Sequence, residues 1–131
     1  MVLFLTILAI WAGWQAGDYP AWLVSISISL LTAVIADLII GYSKDKKIVL
    51  PSSAVITGLI VALVMAPQQK IIYYICASSL AIFSKHLLKI EKRHIFNPAN
   101  FGLLATAVIF PITLSWWGQV NNWWIAIAGI L

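Results

Sequence analysis

Charge is what this sequence has least of. Eight basic and four acidic residues are spread over 131 positions, 9% of the chain. A soluble domain carries about 25%. So few ionisable groups cannot clothe a water-facing surface. This excludes an ordinary soluble enzyme, a disordered tail and a free nucleic-acid binder. Cysteine is almost missing too. Cys76 stands alone inside an apolar run, with no disulfide partner and no metal-ligand spacing, so it reads as a packing thiol. There is no glycine-rich phosphate loop, no His/Cys metal set, no Ser/His/Asp arrangement and no pair of carboxylates. No catalytic residue and no metal ligand is therefore expected. What the chain has is hydrocarbon: 63% hydrophobic residues and a mean hydropathy of +1.01. The reading is an all-α polytopic membrane protein, one transmembrane domain over residues 1–131 with the lipid bilayer as its solvent.

A helix needs roughly 20 apolar residues to cross a hydrocarbon core of ~30 Å. The charged clusters divide the chain into spans at about 2–16, 21–42, 48–66, 71–88 and 99–115. A further apolar piece, 123–131, is too short to cross at ~1.5 Å per residue. The chain ends there in mid-pattern, so this piece is expected to be a truncated sixth span. Ser25-Ile26-Ser27-Ile28-Ser29 alternates with the period of a strand. A lone strand in lipid would leave its backbone groups unpaired, so the second span is kept helical, its serines bonding back to the preceding turn.

The basic residues lie mostly on one side. Lys44, Lys46, Lys47, Lys85, Lys89, Lys92 and Arg93 share a side if every span crosses, and only Lys70 lies opposite. This bias makes the basic loops and the N-terminus cytoplasmic. Trp11, Trp14, Trp22, Trp116, Trp117, Trp123 and Trp124 then fall near the outer boundary, as an interfacial aromatic belt would. An odd number of spans means that a second copy of such a unit must insert upside down, the arrangement of inverted-repeat transport folds.

A few polar residues lie within these spans. Asp37 lies inside the second, about five residues from its inner end. A carboxylate there is a candidate for an ion pathway; the alternative is a pairing with a lysine of the basic loops. Ser53 and Thr57 share a helix face, as small hydroxyl residues do either to pack helices or to hold a buried ligand. His86 and His94 flank the second basic loop and read as interfacial. Asn97-Pro98 is a helix N-cap signature. Asn100, one turn further, needs partners if it is at membrane depth. An N-terminus carrying both amides could alternatively face a polar ligand.

Two stretches also carry a family resemblance. Phe96-Asn97-Pro98-Ala99 leading into a helix, and Ser53-Ala54-Val55-Ile56-Thr57-Gly58-Leu59-Ile60-Val61-Ala62-Leu63 before it, resemble a motif pair of one membrane family. That family contains one of the membrane subunits of the sodium-translocating NADH:quinone oxidoreductase and its counterpart in the Rnf electron transport complex. Trp117-Gly118-Gln119 fits its short relatives, and the resemblance covers roughly residues 21–120. It implies one half of an inverted-repeat fold, in a membrane subunit of a flavin-dependent, ion-coupled electron transport complex of a bacterial inner membrane. It places a non-covalent riboflavin or FMN near Asn97, with Asn100, Ser53 and Thr57 as further binding residues. Other subunits or a second copy would supply the missing wall. The family's covalent flavin hangs from a threonine in Ser-Gly-Ala-Thr, which does not occur here, so none is expected. His94 stands where the family often has another polar residue. Two other functions remain open. One is a half-transporter acting as a dimer. The other is a small structural subunit of a bioenergetic complex with no chemistry of its own. In no case would this chain catalyse alone, since it has no soluble nucleotide-binding part.

Overall fold

The computed structural model describes residues 2–17, 19–48, 51–66, 68–90, 93–94, 97–112 and 114. Among these the chain forms five helices: α1 (Val2–Ala16), α2 (Tyr19–Asp45), α3 (Ser52–Val64), α4 (Ile71–Leu87) and α5 (Pro98–Ile109). The expected sixth piece, 123–131, lies outside the described residues, as do Trp116, Trp117, Trp123 and Trp124. The connection from α4 to α5 contains a two-residue antiparallel ladder, β1 (Lys89–Ile90) against β2 (Arg93–His94).

Of these helices, only Pro20–Lys44 is long and apolar enough to cross a membrane by itself. The others are shorter apolar helices, down to the 12 residues of α5. At ~1.5 Å per residue α5 is ~18 Å long. Its apolar run continues to Leu114, but the helix stops at Ile109, short of the expected 115. Pro111 is the cause. It has no N–H to donate and disfavours helical backbone at the residue before it. Phe110 is accordingly extended, at φ −124 and ψ 150. Beyond it the chain returns to bridge Leu114 with Met65, just past the end of α3.

Helix α3 is the centre of the bundle and touches all four others. Ala54, Val61, Ala62 and Leu63 are completely enclosed. The remaining helices turn large apolar side chains outward: Leu3 and Trp14 on α1, Leu31 and Ile39 on α2, Ile71 and Phe83 on α4, Leu104 and Val108 on α5. A water-soluble bundle buries such residues. Here they form the outer surface, as hydrocarbon solvent requires.

Small residues set the helix spacing. A Cβ on Gly102 of α5 would stand 2.3 Å from the Ala77 carbonyl oxygen and 2.8 Å from the Ala81 amide nitrogen of α4, so only glycine lets these two backbones meet. A Cβ on Gly58 would stand 3.0 Å from the Leu30 Cα and the Ser29 carbonyl oxygen of α2. Gly17, at φ +69, makes the turn from α1 to α2. Trp22 then folds back over α1, donating its indole N–H to the Ala9 carbonyl at 2.8 Å. It is half-buried, whereas Trp11 and Trp14 are exposed.

The strand-like alternation in α2 resolves into a helical stripe. Ser25 and Ser29 are fully buried and Ser27 is exposed, as residues two apart on a helix should differ. Ser25 bonds back to the Trp22 carbonyl at 2.9 Å.

Candidate functional site

The topology gathers the polar residues at one end of the bundle. Tyr73 at the start of α4 stacks with Phe110 just past α5, their ring centroids 5.1 Å apart, so α4 and α5 run antiparallel. Gly58 on α3 meets Ser29 and Ala33 on α2, while Ala54 shares a cluster with Ala33. Helices α2 and α3 are therefore antiparallel as well. The C-termini of α2 and α4 and the N-termini of α3 and α5 consequently share one end. That end carries Asp37, Lys44, Ser53, Lys85, His86, Asn97 and Asn100.

Asp37 is its electrostatic centre. Its Oδ1 accepts from Lys85 Nζ at 2.8 Å and lies 2.7 Å from His86 Nε2. The side chain is 12% exposed, and Lys85 and His86 are each 13% exposed. The lysine pairing considered for Asp37 is thus present. Its partners come from the last turn of α4, where His86 meets the carboxylate beside Lys85. Lys44, in the last turn of α2, donates to the His86 carbonyl at 3.0 Å. It meets a C-terminal carbonyl of α4, where a cation is favoured by the helix dipole. One carboxylate and two lysines therefore lock α2 to α4 here.

The four residues expected to bind a cofactor divide. Asn97 caps α5: its Oδ1 accepts from the Ala99 N–H at 3.1 Å, and Pro98 follows at the first helical position. It is exposed, and its amide N–H groups remain to be offered. Asn100 and Ser53 are exposed at the same end. Thr57 is not with them. It is buried at 5% exposure, and its hydroxyl donates to the Ser53 carbonyl at 3.0 Å, the geometry of a packing residue. The side chain of His94 lies outside the described residues. Among those residues no group of three or more His, Cys, Asp or Glu could hold a metal ion.

Sequence reasoning missed a second polar feature, at the opposite end. The Tyr74 hydroxyl of α4 bonds the Ala66 carbonyl, past the end of α3. Tyr74 is 1% exposed. A tyrosine among apolar neighbours, four residues before a serine and twelve before a histidine, is the signal that could have marked this stripe.

One subunit of the proton-translocating ferredoxin:NAD(+) oxidoreductase complex of Clostridium ljungdahlii is 27% identical over 94 residues, covering 70% of this chain and 28% of that protein. The chain thus matches less than a third of that relative's length. No solved structure matches it. The NQR2, RnfD, RnfE family profile matches residues 1–129, nearly end to end; this chain is an all-α polytopic membrane protein belonging to that family.

Proposed function

We propose that the chain serves in a flavin-dependent, ion-coupled electron transport complex, together with other membrane subunits. Family membership supports the setting, and the name of the clostridial relative describes a proton-translocating oxidoreductase complex of several subunits. The observation that carries the reading is the convergence at one end of the bundle. Two helix N-termini, exposed Ser53, Asn97 and Asn100, and the Lys44–Lys85–His86 group all lie there. Free N–H groups at helix N-termini attract negative charge. Amide and hydroxyl donors suit the carbonyl edge of a planar heterocycle. These residues fit a non-covalent riboflavin or FMN, with Asn97 and Asn100 as donors and Ser53 beside them. Thr57 acts behind them, holding the first turn of α3. A bound flavin would supply one- and two-electron transfer.

In this reading Asp37 is the ion-responsive group. Its carboxylate already holds the Lys85 ammonium, so a cation reaching it must displace that lysine. The basic end faces the cytoplasm, where lysine-rich loops are retained. The N-terminus of α1 starts from the same face, and the outward apolar faces contact lipid or neighbouring subunits.

The test is a spectrum. The chain, purified with the subunits that accompany it, should show flavin absorbance that survives dialysis and is released on denaturation. Asn97→Ala should lose most of it, while Thr57→Ser retains it. Flavin-free protein of correct mass, or full flavin content in Asn97→Ala, would remove the cofactor from these residues.

A further inference from the structure

Helices α2 and α4 meet in a fixed parallel register. Asp37 contacts His86, and Ala33 shares a cluster with Ile82 and Ala54; each pair is separated by the same number of residues. Two pairs with equal offset, one turn apart, set the helices side by side in one register. One turn further from Asp37 along the same seam, Ser29 falls opposite Ser78.

That last rung is unusual. Both serines are fully buried, and the hydroxyl of each has no hydrogen-bond partner among the described residues. Ser25, Thr57, Ser84 and Thr106 all bond back to carbonyls of their own helices. Ser29 and Ser78 do not, although the same carbonyls are available one turn away. Buried polar groups are seldom left unpaired, and an exception calls for an unseen partner. Two exceptions at one level of two adjacent helices point to a single shared one. The two hydroxyls do not bond each other, and one small polar group between them would satisfy both. A water has the right size and can both donate and accept. It is the usual occupant where a small polar gap offers two or more partners.

We propose that a buried water bridges Ser29 and Ser78 across the α2–α4 seam. It lies one turn further along α4 than Tyr74, whose hydroxyl bonds the Ala66 carbonyl. The water stops there, because Ala33, Ala54 and Ile82, each fully enclosed, form a dry plug before Asp37. The seam is thus wetted from one end, charged at the other and sealed between by one apolar layer.

The experiment is a structure of the detergent- or nanodisc-embedded protein, within its complex if it has one, at a resolution that shows ordered water. It is paired with a double-substitution cycle. Density for one water within hydrogen-bond distance of both hydroxyls is expected. Ser29→Ala and Ser78→Ala should each lower the melting temperature by a few degrees, and the double variant should be no worse than the worse single one, because both remove the same bridge. Either serine bonded to a carbonyl of its own helix, or the two bonded directly without a water, overturns the proposal. So do melting shifts that simply add.

Discussion

Helix α4 makes two seams that hold by different means. Toward α5 it presents Ala77 and Ala81, and Gly102 brings the two backbones together. Toward α2 it presents Ile82, Lys85 and His86, and the joint is made by an ion pair at one end. The first seam depends on the absence of atoms and the second on the presence of polar ones. In lipid, where burial of apolar surface gives helices little reason to associate, close packing and polar pairing are the two remaining forces. This molecule uses each in a separate place. The α4–α5 seam should therefore be broken by volume and the α2–α4 seam by loss of charge.

The largest effect is expected from Gly102→Leu. Its Cβ would start 2.3 Å from the Ala77 carbonyl oxygen, and neither backbone can yield without parting the helices. Overpacking in a tight core costs about 1–3 kcal/mol, and more where backbone is struck. At least ~3 kcal/mol is expected here, seen as protease access to the α4–α5 connection in detergent. Native-like stability for this variant would show that the two helices pack less closely than described. Gly58→Ala sharpens the comparison. Its Cβ would stand 3.0 Å from α2 backbone, so it should cost about 1 kcal/mol and leave α4–α5 unaffected.

Next in size is Asp37→Ala. It leaves Lys85 and His86, each 13% exposed, beside Lys44 with no carboxylate partner among the described residues. Removing one partner of a buried pair costs about 3–5 kcal/mol. The residual exposure near the headgroups should reduce this to about 2 kcal/mol. Lys85→Ala should cost less, about 1 kcal/mol, since His86 still meets the carboxylate. The order of the two variants in thermal unfolding is the measurement. Equal losses would mean that Lys85 alone holds Asp37 and that His86 contributes nothing.

These contrasts also explain what could be read from the residues beforehand. The Asn97 cap was legible because everything it needs lies within three positions. A lysine partner for Asp37 was foreseeable from its depth. That it would be Lys85, with His86 beside it, depends on the register between α2 and α4, which no local pattern encodes. The serines of α2 carried two periods at once, and only the cost of a lone strand in lipid favoured the helical one. The end of α5 was misjudged because hydropathy continues through Pro111, while the backbone does not. The unpartnered pair Ser29 and Ser78 was invisible for the same reason as Lys85: each is ordinary in its own helix, and only their juxtaposition is not.

The smallest effect is expected where neither seam is involved. Asn97→Ala removes the acceptor for the Ala99 N–H at the free end of α5. Losing such an exposed cap costs about 0.5 kcal/mol, well below the loss from Gly102→Leu on the same helix. Asn97→Asp keeps an acceptor and adds negative charge at a helix N-terminus, so it should be as stable as the parent or slightly more so. The same two variants separate the cap from the proposed ligand role. Aspartate restores the acceptor but not the amide N–H donors. If Asn97 only caps α5, Asn97→Asp recovers both stability and flavin content. If its amide also meets a flavin, stability recovers while bound flavin stays low, because the carboxylate presents no hydrogen and repels an electron-rich ring edge.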